Sequence, residues 1–163
     1  MVMSIPMLGS GQTTWKRPKI TRGLEADESF YFRPEKIPVV RAAIKRRSTK
    51  IADYPDPDLA IEIDISPPVL DREEIYRKLQ VAEIWYFDGE DVTIEQLGED
   101  GTYAVASQSR FLPVKAVEIR RWLVEEDATD HIAWGIRLRA WLCRIARTRK
   151  PSTRRPRRRK AEG

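Results

Sequence analysis

The sequence predicts a mixed α/β domain, in which one mixed sheet that includes an antiparallel meander is flanked by helices. Three observations lead to this prediction. A short apolar run over residues 58–65 lies between two pairs of prolines, which is typical of a strand. The spacing of apolar residues then changes to that of a helix. Beyond it, three runs of alternating apolar and polar residues are separated by glycine-containing turns. This order of strands and helices is that of an α+β domain with one sheet.

The first third of the chain carries weaker signals. Residues 1–20 show no sustained period, and we expect them to be irregular apart from a short extended piece around Thr13–Lys16. The aromatic run Ser29–Arg33 predicts a strand that Pro34 ends. Residues 39–47 are compatible either with a short helix or with a flexible loop.

The central strand is predicted over residues 58–65 and has three carboxylates set into an aliphatic run. Side chains alternate across a strand, so Asp58, Glu62 and Asp64 are expected on one face. The other face would carry the aliphatic residues Leu59, Ile61, Ile63 and Ile65. Carboxylates on a buried strand are costly unless they are neutralised, usually by a divalent cation or a basic partner.

The remaining elements follow from apolar periodicity and turn signals. A helix is predicted over residues 69–80, where acidic groups in the first turns suit the helix dipole. Strands at 82–87, 92–97 and 102–106 are separated by Asp-Gly and Gly-Glu-Asp-Gly turns, which predicts an antiparallel meander. A short helix is expected from Pro113. A last helix over 130–147 would be capped by Asp127 or Thr129.

Composition limits the classes of protein to which the chain can belong. Its 163 residues suit one domain with a modest core. No apolar run has the length of a membrane span, so no membrane partner is expected. The single Cys143 permits no internal disulfide, which is consistent with a cytoplasmic location. One cysteine and one histidine are too few for a structural zinc site.

Basic residues are concentrated at the C-terminal end. From Arg144 to Gly163 there are ten Lys or Arg residues and one acid, which gives this segment a net charge of +9. The rest of the chain carries −4, so the whole chain has a net charge of +5. We therefore predict a single domain over 1–147 and a disordered, arginine-rich tail over 148–163. Such a tail attracts nucleic acid without sequence preference, or it only improves solubility.

The carboxylates and the following helix suggest one candidate site. Asp27 lies just before one predicted strand, Glu62 and Asp64 lie on another, and Arg72 lies in the first turns of the next helix. Magnesium-dependent hydrolysis of a phosphodiester needs carboxylates on adjacent strands and a nearby cation. Acids on a solvent-facing sheet edge would give the same spacing.

Several separated motifs resemble one known family. They are G-Q-T-T-W-K-R-P (11–18), R-G-L-E-A-D-E-S-F-Y-F (22–32), P-D-L-A-I-E-I-D-I-S (57–66), I-Y-R-K-L-Q-V-A-E-I-W-Y-F-D-G (75–89) and F-L-P (111–113). In this order, over residues 11–142, they resemble the Uma-two family of restriction-endonuclease-like proteins. The resemblance implies the fold of PD-(D/E)xK nucleases, with an acid, a second acid and a lysine around a magnesium ion.

Carried over to this chain, the resemblance implies that Asp27 and Glu62 are the two metal-binding acids. The family's lysine position, four residues before Tyr76, is occupied by Arg72, which keeps the charge but cannot act as a base near neutral pH. Asp64 takes the position of the lysine in other nucleases of this fold and would be a third ligand. Family members also carry a longer segment before the motif at Gly11, so the chain is expected to be short at its N-terminus.

Three functions remain open from the sequence. The first is an Mg²⁺-dependent endonuclease that cleaves DNA through Asp27, Glu62 and Arg72. The second is a catalytically inactive nuclease-like domain that binds nucleic acid through its basic tail. The third is a domain that only associates with copies of itself, as a homodimer for example, through the meander edge or the last helix.

Overall fold

The computed structural model describes residues 6–9, 13–15, 24–63 and 72–148. The strands are β1 (Leu8–Gly9), β2 (Thr13–Trp15), β3 (Leu24–Ala26), β4 (Glu28–Tyr31), β5 (Leu59–Ile63), β6 (Glu83–Phe87), β7 (Val92–Leu97) and β8 (Tyr103–Ala106). The α-helices are α1 (Lys36–Lys45), α2 (Arg72–Lys78), α3 (Ala116–Arg120) and α4 (His131–Thr148). A 3₁₀ turn covers Ile51–Asp53, and a π-helical segment, Arg121–Glu125, continues α3.

Six strands form one open sheet in the order β1-β4-β5-β6-β7-β8, and β2 pairs with β3 in a separate ladder. Within the six-stranded sheet, β5 and β6 are parallel and the other neighbours are antiparallel. The parallel pair needs a crossover, and α2 lies in that connection. The predicted mixed α+β class and the antiparallel meander β6-β7-β8 are both confirmed.

The sheet separates two helical layers. We call the face that α1 and α2 cover the front face, and the face that α3 and α4 cover the back face. Buried front-face residues from the strands include Tyr31, Ala60 and Ile84, which pack against α1 and α2. On the back face, Trp85 packs against a cluster centred on Trp122 and Trp141. The sheet is thus the middle layer of three.

Asp58 is fully buried and joins β4 and α1 to the start of β5. Its Oδ2 accepts hydrogen bonds from the amides of Phe32 at 2.8 Å and Arg33 at 2.9 Å, and Lys36 Nζ lies 2.6 Å from Oδ1. A basic partner and backbone donors therefore neutralise this carboxylate, and it is not part of a metal-binding row. Asp58 directly precedes β5 and faces α1, so it lies on the front face, as the predicted alternation requires. Of the two predicted ways to neutralise it, the one found at this position is a basic partner.

The bounds of several elements differ from the predictions for local reasons. Helix α1 begins at Lys36 instead of Val39, because Pro38 suits a first turn that needs no amide donor. Helix α3 begins at Ala116 instead of Pro113, because Gln108 and Lys115 first form a β-bridge. The side chain of Asp130, not Asp127 or Thr129, accepts the first amide hydrogen bonds of α4.

Three predictions concern residues outside the described ranges. These are the end of the central strand at residues 64–65, the helix start at 69–71, and the tail beyond Thr148. Strands β1 and β3 were not predicted, whereas β2 coincides with the expected extended piece. Among the helices in the described part of the chain, none is long and apolar enough to span a bilayer.

Candidate functional site

Glu62 is the buried carboxylate of the central strand. It lies on the front face of β5, is 2% exposed, and accepts a hydrogen bond from the hydroxyl of Tyr76 on α2. Tyr76 is itself fully buried in the core between α2 and the sheet. The hydroxyl therefore fixes the direction of the Glu62 side chain, and burial strengthens this polar contact.

Asp27 reaches the same end of β5 from the neighbouring strand. It directly precedes β4, in which Glu28 pairs with Ile61, so Asp27 lies level with Glu62 across the ladder. Its Oδ2 accepts a hydrogen bond of 2.7 Å from the amide of Ile63. Two of the predicted acids, far apart in sequence, are thus brought to one edge of the sheet by strand pairing.

The third predicted position is Arg72, the first residue of α2. It precedes Tyr76 by four residues, which places the two positions on the same side of the helix. The side chain of Arg72 and all of Asp64 lie outside what the structure describes. Lys78, at the other end of α2, instead pairs with Glu74 at 2.7 Å on the solvent side.

Further acidic and phenolic groups lie along the front face towards β8. Tyr86 pairs with Glu62 in the parallel ladder, and Glu95 lies two strands away from Glu62 on the same face. Burial, together with the nearby charge of Glu73, raises the pKa of the Glu95 carboxyl. The pKa of Tyr103 is also raised, first by burial and then by Tyr86, Glu73 and Glu95. The front face is therefore electronegative around these groups.

Glu95→Gln is expected to stabilise the folded protein at neutral pH. A carboxyl whose pKa is raised on folding favours the folded state below its ordinary pKa, and this contribution is lost as pH rises through the folded-state pKa. Because Glu95 is only half-buried, we expect a gain of less than about 1 kcal/mol. The gain is measured by thermal unfolding of the wild type and the variant at neutral pH. The same measurement is repeated at a pH below 4.5, the ordinary pKa of a Glu carboxyl, where the gain should disappear.

The matched control is Glu99→Gln, which changes an exposed acid in the turn after β7. It should leave the unfolding temperature unchanged at both pH values. A Glu95 variant that is no more stable than the wild type at neutral pH would contradict the electronegative environment described above.

The carboxylate oxygens of Asp27 and Glu62 are the type of ligand that a hard divalent cation prefers. Mg²⁺ takes oxygen ligands and usually only one or two protein carboxylates, with water and substrate phosphate completing the set. Asp27 and Glu62 supply that number. Across the described residues no group of three or more His, Cys, Asp or Glu side chains is placed to hold a metal ion. Asp64, the third ligand that the resemblance implies, lies outside the described residues.

Sequence reasoning missed two participants in this region. Tyr76 served only as a motif landmark, yet its hydroxyl holds Glu62. Its position four residues after Arg72, in an otherwise apolar helix face, is the signal that could have identified it. Glu95 is a polar residue of the predicted alternating strand at 92–97. Its register against Ile84 in the β6–β7 pair places it on the front face, and this pairing is known only from the structure.

Glu83 is another fully buried carboxylate, and it lies at the end of β5 and β6 opposite to Glu62. It starts β6 and accepts four hydrogen bonds. The donors are Trp85 Nε1 (2.7 Å), Ser109 Oγ (2.6 Å), Gln96 Nε2 (2.9 Å) and the amide of Arg110 (2.6 Å). All four donors are neutral. This carboxylate links β6, β7 and the loop before α3, and its role is structural.

Other notable side chains belong to the core or to the surface. Trp122 and Trp141 are buried and in contact, with Trp85 and Trp134 packed against the same cluster, so they contribute to the core. His131 is exposed at the first position of α4. Cys143 is a partly exposed free thiol.

Comparison with family models, with curated proteins and with solved structures finds no match to this chain.

Proposed function

We propose that this protein is a nuclease-like enzyme of the Uma-two family that hydrolyses DNA phosphodiester bonds in the cytoplasm with a magnesium ion. The observation that carries the proposal is the hydrogen bond from the Ile63 amide to Asp27, which holds one acid beside the other, Glu62. The motif resemblance over residues 11–142 supports the same conclusion. A PD-(D/E)xK nuclease requires such a pair on adjacent strands.

In this proposal Asp27 and Glu62 hold the cation, and Asp64 adds a third oxygen. Bound Mg²⁺ polarises the phosphoryl group and lowers the pKa of an attacking water. Tyr76 keeps the Glu62 carboxylate in one orientation through its hydroxyl. A ligand that is already oriented loses less conformational freedom when the cation binds. Tyr76 is thus a positioning residue.

Arg72 has the role of stabilising charge on the scissile phosphate. A guanidinium group forms paired hydrogen bonds with phosphate oxygens and stays protonated, so it is not the base. The proposal is supported by the position of Arg72 in the sequence, four residues before Tyr76 and at the start of α2. Removing one donor that stabilises charge in the transition state typically costs roughly two to three orders of magnitude in rate.

The role of Arg72 can be tested by substitution. Arg72→Ala should lower magnesium-dependent DNA cleavage by roughly a hundredfold to a thousandfold, whereas Arg72→Lys should keep most of the rate, because it restores the family's residue. Single-turnover cleavage of a labelled duplex provides the measurement. Arg77→Ala, at an exposed position on the same helix, is the control. Equal rates for the Arg72→Ala and Arg77→Ala variants would remove Arg72 from the site.

A catalytically inactive protein that binds nucleic acid is the second candidate. It is favoured by the charge of α4, whose exposed arginines Arg137, Arg139, Arg144 and Arg147 lead into the arginine-rich residues 149–163. In that case, deleting residues 148–163 should abolish DNA binding and its salt dependence. Binding that survives the deletion would exclude this candidate.

A further inference from the structure

Helix α4 has an apolar stripe on the side that faces away from the core. Its inward side packs against the back-face cluster through Trp134, Leu138, Trp141 and Ile145. At 100° per residue, Ile132 and Ile136 lie on the opposite side. They are 77% and 65% exposed, and Ala140 and Cys143 continue the same line.

This stripe lies in the part of the structure where exposed apolar side chains are concentrated. Of the eleven large hydrophobic residues that are exposed in the described ranges, six lie in α3, the π-helical segment and α4. They are Val117, Leu123, Val124, Ile132, Ile136 and Leu142. Such a concentration indicates an interaction surface rather than scattered surface residues.

Charge is distributed unevenly along the same surface. In the segment that leads into α4, Glu125 and Glu126 pair with Arg120 and Arg121, and the acids Asp127 and Asp130 follow them. Helix α4 itself carries four arginines, Arg137, Arg139, Arg144 and Arg147, and contains no Asp or Glu. One end of the stripe is therefore negative and the other positive.

We propose that this surface binds a second copy of the chain, with α4 antiparallel to its counterpart across a two-fold axis near Ile136. This arrangement brings the acidic end of one copy beside the basic end of the other, twice, as a two-fold interface requires. The isoleucines of both copies are buried in the middle. Antiparallel helix dipoles add a favourable term.

The same observations disfavour other partners. An anionic bilayer or a nucleic acid would attract the arginines but would repel the acids Asp127 and Asp130. A nucleic-acid backbone also offers no apolar surface for Ile132 and Ile136. The candidate metal-binding site lies on the front face, on the other side of the sheet from α4. This proposal is therefore independent of the proposed function.

Sedimentation equilibrium of the full chain across the micromolar range tests the proposal. The wild type should have twice the chain mass of 19.0 kDa. Ile132→Glu and Ile136→Glu, which change exposed positions and so leave the fold intact, should each weaken association by roughly tenfold or more. Val105→Glu should not, because this equally exposed residue lies on edge strand β8, away from α4.

A charge exchange tests the antiparallel orientation. Arg147→Glu and Asp127→Arg should each weaken the dimer, and the double variant should restore it, because the two positions exchange partners across the axis. A monomeric wild type would overturn the proposal. A dimer that persists in both isoleucine variants would also overturn it. So would a dimer that Val105→Glu dissociates, which would instead indicate an interface along the sheet edge.

Discussion

Glu62→Gln is expected to lower magnesium-dependent DNA cleavage by at least roughly two orders of magnitude. The amide is neutral and a poorer ligand for a hard cation than the carboxylate it replaces. The substitution preserves the size of the side chain, and its carbonyl oxygen can still accept the hydrogen bond from Tyr76. The loss is therefore expected in activity with little change in thermal unfolding. Initial rates on plasmid DNA at saturating Mg²⁺ measure it.

The neighbouring exposed acid supplies the control. Glu28→Gln removes a carboxylate beside Asp27 in sequence, but Glu28 is exposed at the start of β4 and should not change the rate. The cleavage rate of the Tyr76→Phe variant should lie between the rates of Glu62→Gln and Glu28→Gln, because Glu62 keeps its charge but loses its fixed orientation. Cleavage by the Glu62→Gln variant at the rate of the Glu28→Gln variant would show that Glu62 does not bind the catalytic ion.

Glu83→Ala is expected to cost roughly 3–5 kcal/mol of folding free energy, a large fraction of the stability of a domain of this size. The substitution removes the acceptor that four donors share: Trp85 Nε1, Gln96 Nε2, Ser109 Oγ and the amide of Arg110. Among them, Gln96 Nε2 keeps another acceptor, the carbonyl of Gln108. The substitution also opens a cavity. Urea unfolding followed by tryptophan fluorescence measures the difference, since Trp85 is one of the partners.

Two matched variants define the origin of that loss. Glu99→Ala removes an exposed acid and should change stability by less than about 0.5 kcal/mol. Ser109→Ala removes one of the four donors and should cost about 1 kcal/mol. A Glu83→Ala variant as stable as the Glu99→Ala variant would mean that water replaces the carboxylate without penalty.

The meander could be predicted almost residue by residue, because its information is local. Alternating side chains define β6 and β7, and the turns between strands contain Gly89 and Gly101, which both have positive φ, as their sequence context indicates. The beginning of α1 was less certain from sequence. It depends on Pro38 in the first turn and on Lys36 contacting Asp58 from a distant segment.

The candidate site shows the same division between local and distant information. Strand alternation correctly places Glu62 on one face of β5, and the motif resemblance indicates Asp27 as its partner. Neither signal reveals that Asp58 is hydrogen-bonded to Phe32, Arg33 and Lys36, since these contacts join residues more than 20 positions apart in the chain. Nor do they indicate that Glu62 is almost fully buried against Tyr76. Tertiary packing determines the surroundings of both carboxylates.

The most direct test is cleavage of duplex DNA by the purified full-length chain, in Mg²⁺ and in EDTA, beside Asp27→Asn. We predict that the wild type cleaves the duplex in Mg²⁺ but not in EDTA. The Asp27→Asn variant should not cleave it in Mg²⁺, although its circular dichroism is the same as that of the wild type. Wild-type protein that is folded and binds Mg²⁺ yet leaves the duplex intact, or an Asp27→Asn variant that cleaves at the wild-type rate, would contradict the proposed nuclease site.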